Sequence, residues 1–325
     1  MKKRALGIVL AAVFSMSSFT VSAAEKELTP LTIAYSTWVG DGPFYIARDK
    51  GYFEENGLDV DLKIVDDEST FASLMGSGSV QALGHVIDRE VINYSKGIDE
   101  TVVLAYDQSS GGDGIVASEE IESPADLKGK TIALNKSSTS YFYFLTVLEE
   151  AGLKEEDVTI KDMDADSAGT SFVQGQVDAA VTWEPWLTNA NQREGGHLLC
   201  SSADYPNTIV DVVTMSDSFL KDNPDAASGF VKAWNEAVEW YNDGNQEEGN
   251  KIMADGLSID LDDFESQVKG VTWYAGDDLK KFFDNSSDNN IYSVADRAIS
   301  FWTERDLIDE EFDSSDFITA DYIGE

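Results

Sequence analysis

The stretches Gly78-Ser-Val-Gln-Ala82 and Gly175-Gln-Val-Asp-Ala179 repeat one pattern 97 residues apart, and this repeat indicates a duplicated architecture. Upstream of each lies a short apolar strand, Leu31-Thr-Ile-Ala-Tyr35 in the first copy and Thr131-Ile-Ala-Leu134 in the second. In both copies a helical stretch, an alternating strand and a short helix lie between the apolar strand and the glycine motif. Strand, helix, strand, helix and strand, present twice, predict an α/β protein with two similar sheets.

Two extended stretches connect and follow the two copies. Val102–Tyr106 leads through the glycine-rich residues 109–114 into Ile115–Ala117, and Ile209–Val213 follows the second copy. We interpret these strands as crossings between two lobes. The predicted domains are therefore residues 25–115 and 214–325 in lobe one and residues 116–213 in lobe two.

The C-terminal part is predicted to be helical. Asn223 is a candidate N-cap, Pro224 suits the first turn of a helix, and Gly244 ends the apolar stripe that follows. Apolar side chains recur there at steps of three and four residues, which is typical of a helix packed on a core. Residues 262–272 and 292–306 are expected to form further helices, separated by a polar loop over residues 284–290.

The N-terminus has the pattern of a signal peptide over residues 1–24. Lys2, Lys3 and Arg4 precede the apolar run Ala5–Phe14, which is too short to span a bilayer comfortably. Small residues then offer a cleavage site after Ala23 or Ala24. No cysteine for lipid attachment lies nearby, so the sequence predicts a soluble periplasmic or secreted protein; the alternative is an uncleaved membrane anchor.

The composition excludes several classes of function. Across 325 residues, 61 acids outnumber 23 bases, giving a formal charge of −38. Such a surface repels nucleic-acid phosphates and anionic lipids, and we interpret it as a salt-adapted, solvated surface. The apolar share of 42% is enough for a substantial core.

Metal, cofactor and catalytic motifs are not found in the sequence. Cys200 is the only cysteine and His85 and His197 are the only histidines, and none has zinc-site spacing. Asp162, Asp164 and Asp166 begin like a calcium loop, but the glycine and the bidentate acid of that loop are missing, so helix capping explains them better. No phosphate-binding loop, dinucleotide motif or nucleophile elbow is present, so we predict no metal, no cofactor and no catalytic residue.

Polar and aromatic residues follow several predicted strands. In open α/β sheets, ligands bind beyond the carboxyl ends of the strands. Hydroxyl groups and helix N-termini can hold polar groups there, and tryptophan rings can form flat walls. The candidate ligand-binding residues are Ser36, Thr37, Trp38, His85, Asp88, Asp107, Ser138, Ser140, Tyr141, Trp183, Glu184 and Asp211.

Seven short motifs occur in one order along the chain. They are Tyr35-Ser-Thr-Trp-Val-Gly, Gly42-Pro-Phe-Tyr-Ile-Ala-Arg48, Gly51-Tyr-Phe53, Gly112-Asp-Gly-Ile-Val116, Asp126-Leu-Lys-Gly-Lys-Thr131, Gly175-Gln-Val-Asp-Ala-Ala180 and Trp183-Glu-Pro-Trp186. In this order they resemble the nitrate/sulfonate/taurine family of periplasmic substrate-binding proteins of ABC importers, over residues 30–320. The resemblance implies a two-lobed periplasmic-binding-protein type II fold, each lobe a mixed sheet flanked by helices, with a helical C-terminal part. It also implies a small solute as ligand and a membrane permease and an ATPase as partners; we expect the binding protein itself to be a monomer.

The scarcity of basic residues in the candidate segments argues against a purely anionic ligand, although acids are not enriched there. The 46 residues of these segments contain one base, Lys136, although the composition of the chain predicts about three; the segments are 35–45, 84–88, 106–114, 134–142, 181–186 and 208–213. We expect Asp211 and Glu184 to bind the positive end of an amine-bearing or zwitterionic ligand, with Ser36, Thr37, Ser138 and Ser140 holding its polar or acidic end. The resemblance to the taurine-binding branch aligns Asp211 with an aspartate that holds the substrate amine. For Glu184, a structural role in capping the next helix is the alternative.

Two other functions remain open on the sequence alone. One is a periplasmic ligand sensor. The other is an enzyme, because the fold also resembles that of the pyrimidine-synthesis proteins of thiamine metabolism, in which case His85 would be a candidate reactive group. The signal peptide and the absence of a cofactor motif favour the transport protein over the enzyme.

Overall fold

The computed structural model describes residues 27–287, 289–309 and 312–324. The predicted signal peptide, residues 1–24, lies outside the described residues. Within them, no helix has both the length and the apolar character that crossing a membrane requires.

The strands of the described part form one six-stranded and one five-stranded sheet. The first sheet has the order β11-β4-β10-β3-β1-β2 and the second β7-β6-β8-β5-β9. Their bounds are β1 Thr29–Tyr35, β2 Leu58–Ile64, β3 Ala82–Val86, β4 Glu100–Ser109, β5 Asp113–Ser118, β6 Thr131–Leu134, β7 Thr159–Asp162, β8 Ala179–Trp183, β9 Gly196–Ser201, β10 Val210–Ser216 and β11 Val271–Trp273.

Helices flank both sheets and dominate the C-terminal part. They are α1 Gly42–Asp49, α2 Tyr52–Glu55, α3 Phe71–Gly76, α4 Ile87–Ser95, α5 Thr139–Glu150, α6 Ala165–Val173, α7 Trp186–Asn191, α8 Asp217–Asp222, α9 Ala226–Asn242, α10 Gln246–Leu257, α11 Leu261–Gln267, α12 Gly276–Phe282 and α13 Ile291–Thr303.

The sequence repeat is a structural repeat. β1 pairs in parallel with β2 and β3, and β6 pairs in parallel with β7 and β8, so both copies have the same strand order. Each sheet also receives an antiparallel strand, β10 beside β3 and β5 beside β8. The predicted α/β class with two mixed sheets flanked by helices is therefore confirmed.

Each strand that we interpreted as a crossing between the two lobes pairs within one sheet only. β4 pairs within the first sheet and β5 within the second, and the chain returns between β9 in the second sheet and β10 in the first. The chain thus changes sheet at residues 110–112 and 202–209. The lobe boundaries themselves stay a prediction, although β10 joins the first sheet over its whole length, including residues 210–213 that we assigned to lobe two.

The C-terminal helices differ from the prediction in two places. Asn223 ends α8, since its side chain donates to the Phe219 carbonyl, and α9 begins only at Ala226. Val271–Trp273 form a strand instead of extending α11, because they pair with the edge of β4. That pairing partner is far away in sequence, so local periodicity could not predict it. The periodic stripe of α9 is part of the core, as predicted: Phe44 of α1 packs against Phe230 and Trp234 of α9 at ring-centroid distances of 5.7 and 5.1 Å.

Candidate functional site

A small cavity lies between the two sheets, where loops from both meet. Among the described residues, it is lined by Ser36, Trp38, Glu68, Val86, Asp113, Thr139, Trp183, Ile209 and Asp211. Its volume of about 30 Å³ gives room for about two water molecules. This volume is far below the roughly 300–1,000 Å³ of most small-molecule pockets.

The strand ends explain why these residues meet. Ser36 and Trp38 follow β1, Val86 ends β3, Trp183 ends β8, and Thr139 begins the helix after β6. The carboxyl ends of parallel strands lie at one edge of a sheet, which is where open α/β sheets bind ligands. Because the repeat gives both sheets the same strand order, their two binding edges can face one cavity.

Two tryptophans are held at the cavity by their indole N–H groups. Trp38 Nε1 donates to Asp107 Oδ2 at 3.0 Å, and Trp183 Nε1 donates to the Thr37 carbonyl at 3.0 Å, which ties the second sheet to the first. Glycine is needed beneath Trp38, because a Cβ on Gly112 would lie 2.3 Å from its Cη2 atom. Both rings are thus fixed, and each leaves under a tenth of its surface exposed.

Asp107 and Asp211 form a buried carboxyl pair. They are direct partners across the antiparallel strands β4 and β10, so their side chains are neighbours on one face of the sheet. Burial raises the pKa of both, and for Asp211 the charge of Asp107 raises it further. Asp41 adds a third buried carboxyl, held by the Tyr106 hydroxyl at 2.8 Å, and its pKa is likewise raised by burial and by Asp211.

Asp113 and Glu68 bring two more carboxyl groups to the cavity. Burial raises the pKa of Asp113 to about 7, against the effect of its hydrogen bond with Ser109. Glu68 accepts a hydrogen bond from the Ser36 hydroxyl at 2.8 Å, and its other oxygen lies 3.7 Å from His85 Nε2. Glu68, Asp113 and Asp211 thus bring carboxyl groups to the cavity from both sheets.

His85 is the positive charge that balances part of this acid cluster. Its ring lies between Glu68 and Glu90, with Nδ1 bonded to Glu90. Burial opposes its charge, but the hydrogen bonds and charges of the two glutamates outweigh burial and raise its pKa to about 10. His85 is thus an imidazolium at neutral pH, behind Glu68.

The N-terminus of α5 supplies hydroxyl groups from the second sheet's side. Ser138 caps the helix by accepting from the Ser140 N–H at 3.3 Å. The hydroxyls of Thr139 and Ser140 are buried and have no hydrogen-bond partner among the described residues. A helix N-terminus with unpaired hydroxyls favours a negatively charged or polar group.

The structure brings many of the predicted site residues together. Ser36, Trp38, Trp183 and Asp211 line the cavity; Thr37 and Asp107 bond its tryptophans; and His85 contacts it through Glu68. Ser138 and Ser140 flank Thr139, whose side chain reaches the cavity.

Three more of the predicted residues do not line the cavity and are bonded elsewhere. Asp88 is bonded to Arg89 Nε at 2.7 Å and borders a separate cavity beside α13. The Tyr141 hydroxyl donates to Glu155 at 2.7 Å. Glu184 accepts from both the N–H and the hydroxyl of Thr188, at 2.9 and 2.7 Å, which is the capping role that we kept as its alternative.

Glu68, Asp113 and Thr139 line the cavity but were not among the predicted residues. Each of the three lies in or beside a recognisable feature of the sequence. Glu68 ends the acidic run after β2, Asp113 lies in the glycine-rich stretch before β5, and Thr139 lies between Ser138 and Ser140. No lining residue among those described is lysine or arginine. Nor do the described histidines, cysteines and acids include a group of three placed to hold a metal ion.

Known proteins resemble this chain over most of its length. A protein of Brucella abortus, provisionally named a binding protein, is 26% identical over 310 residues, covering 94% of this chain and 95% of its own. The taurine-binding periplasmic protein of Escherichia coli is 24% identical over 229 residues, covering 70% of this chain and 71% of its own.

A solved structure has the same fold. The periplasmic aliphatic sulphonate binding protein SsuA of Escherichia coli matches with a TM-score of 0.74 at 19% identity, over 89% of this chain and 97% of its own. This match confirms the predicted periplasmic-binding-protein fold. The family model described as NMT1/THI5 like matches residues 40–247, and the chain belongs to the NMT1/THI5-like family.

Proposed function

We propose that this protein is the substrate-binding protein of an ABC importer and captures a small amine-bearing or zwitterionic solute in the cavity between its two sheets. It works in the periplasm after its signal peptide is removed, passes the solute to a membrane permease driven by an ATPase, and carries out no chemistry of its own. The names of the sulfonate- and taurine-binding relatives support this assignment.

The charge of the cavity is the observation that carries the proposal. Glu68, Asp113 and Asp211 line it, Asp107 and Asp41 lie behind them, and the lining residues that the structure describes include no lysine or arginine. A bare anion such as nitrate would find no lysine or arginine on the described lining and would make ionisation of these carboxyl groups still less favourable. An ammonium group would instead neutralise carboxyl groups whose burial is otherwise costly.

The opposite wall suits the other end of a zwitterion. Thr139 and Ser140 offer hydroxyl donors at the N-terminus of α5, where the helix dipole is positive. A ligand with its nitrogen at Asp211 and its anionic or polar end at Thr139 would contact both sheets at once. Contact with both sheets is what stabilises a closed form over an open one.

A binding screen tests the proposal. The probes are taurine, ethylammonium, nitrate and ethanesulfonate, which separate the zwitterion, the cation alone and the anion alone. A ligand at a hundredfold excess over its Kd stabilises the native state by about 2.7 kcal/mol, so a true ligand gives a clear rise in melting temperature. We expect taurine or ethylammonium to bind and nitrate and ethanesulfonate to fail.

Two outcomes would contradict the proposal. Binding of nitrate or ethanesulfonate with no response to either amine would show an anion receptor. Conversion of a bound amine to a product, followed by mass spectrometry of the incubated mixture, would show an enzyme. Small-angle scattering of the bound and free protein checks closure, with a smaller radius of gyration expected on binding.

A further inference from the structure

The carboxyl pair Asp107–Asp211 lacks the donors that two charged groups would need. Asp107 has no exposed surface and accepts one hydrogen bond, from Trp38; its Oδ1 atom has no donor among the described residues. Asp211 is 7% exposed and lines the cavity. A proton between the two carboxyls would supply the missing donor, which no other described side chain provides.

The groups around the pair make a second negative charge still less favourable. The titratable groups that act on the pair are Asp41 before α1, His85 on β3, Tyr106 on β4, Asp113 on β5 and Tyr274 after β11. Of these only His85 is positive, and its charge is already matched by Glu68 and Glu90. Two neighbouring buried carboxyls without a counter-ion cannot both ionise cheaply, so they keep a proton as a pair.

We propose that Asp107 and Asp211 share one proton in the unliganded protein, and that a positively charged group binding at Asp211 expels this proton to solvent. The O–H bond of the pair breaks, the proton passes to the buffer, and the ligand's positive charge replaces it. Asp107 is then a specificity-determining residue that does not itself touch the ligand. This inference rests on the proposed function, because it needs a cation at Asp211.

Proton exchange of this kind has two consequences. A neutral ligand of the same shape brings no charge to replace the proton, so the pair selects for cations. The affinity for a cation also rises with pH, by about tenfold per pH unit while the pair still carries its proton. The rise ends where the free pair itself loses its proton, and burial, together with the repulsion between the two carboxyls, moves this point well above the ordinary pKa of a carboxyl group.

Calorimetry in several buffers tests the proton count directly. Taurine and ethylammonium are titrated at pH 6.5, where primary amines keep their own proton, in buffers that differ in ionisation enthalpy. The slope of the binding enthalpy against buffer enthalpy counts released protons. We expect close to one proton per ligand and an affinity that rises steadily between pH 5.5 and 7.5.

Two variants assign the proton to the pair. In Asp107→Asn the amide oxygen can still accept from Trp38, but the residue cannot carry the acidic proton, so we expect less than half of the wild-type release and a flatter pH dependence. Glu100→Gln is the matched control, since Glu100 is another fully buried carboxyl with a raised pKa and does not line the cavity. It should release as many protons as the wild type. If Asp107→Asn fails to fold, the wild-type count and pH slope decide alone.

The outcomes separate this inference from the proposed function. Binding of an amine without proton release, or equal release by Asp107→Asn, would overturn the shared proton and leave the amine-binding function standing. An Asp107 with only a structural role would lower affinity equally at every pH and keep the proton count. If neither amine binds, the proposed function fails and the shared proton fails with it.

Discussion

Replacing Asp211 by asparagine should weaken ligand binding and stabilise the ligand-free protein at the same time. The substitution keeps the size of the side chain and removes its ability to ionise. Asp211 lines the cavity, lies opposite Asp107, and has a pKa raised by burial and then by that neighbour. A buried carboxyl group whose charge is compensated only by the bound ligand is expected to lower the free energy of unfolding when the ligand is absent.

The loss of affinity follows from the charge of the hydrogen bond. A hydrogen bond to a charged group contributes about 1.5–3 kcal/mol, which corresponds to a rise of about 10- to 150-fold in the Kd for taurine or ethylammonium. Calorimetry at pH 7.5 measures this change.

The gain in stability depends on pH in a defined direction. Because the folded-state pKa of Asp211 lies above its unfolded value, the unfolded chain loses the proton more readily, and wild-type stability falls as pH rises above about 4. Asparagine removes this penalty. The variant should therefore melt a few degrees higher than the wild type at pH 7 and at the same temperature near pH 4.

Glu100→Gln provides the control for both effects. Glu100 is buried, and burial followed by the charge of Glu90 raises its pKa, so its glutamine variant should also gain stability at pH 7. Its Kd for taurine or ethylammonium should stay at the wild-type value because it lies outside the cavity. An Asp211→Asn protein that binds the amine as tightly as the wild type, or that melts lower at pH 7, would refute the reasoning.

Three further predictions follow from the charges and the packing. His85 has a pKa of about 10 in the folded protein, so its stabilising effect is complete below about pH 6.5 and is lost as pH rises toward 10; pH-dependent melting should show this loss in the wild type and not in His85→Gln. Acids outnumber bases 61 to 23, so the melting temperature should rise with sodium chloride as the screening length falls from about 30 Å at 0.01 M to about 3 Å at 1 M, and a flat curve would rule out a salt-adapted surface. Gly112→Ala places a Cβ 2.3 Å from Trp38 and should cost about 1–3 kcal/mol of stability and weaken amine binding, whereas Gly76→Ala, whose Cβ meets nothing closer than 3.7 Å, should melt at or above the wild-type temperature.

The repeat and the strand ends were predictable because both are local in sequence. Ser36 and Trp38 follow β1, and Trp183 ends β8. A short apolar strand with polar residues after it can be recognised from the local sequence alone, and this places all three residues at the end of a strand. Asp211 was predictable because a carboxylate inside an apolar strand needs a partner.

Side-chain direction at helix starts was not predictable in the same way. Successive residues of a helix point about 100° apart, so Thr139 reaches the cavity while Tyr141 bonds Glu155 instead. Asp88 likewise lies in the first turn of α4 but bonds Arg89. β11 was missed because the strand with which it pairs, β4, lies about 160 residues earlier.

A crystal structure of the protein with taurine tests the proposed binding mode most directly. We predict the taurine nitrogen within about 2.7–2.9 Å of an Asp211 carboxylate oxygen, its sulfonate at the N-terminus of α5 near Thr139, and Trp38 and Trp183 on either side. Taurine bound outside this cavity, or bound with its sulfonate against Asp211 and its nitrogen at Thr139, would contradict the amine-binding role of the acidic wall.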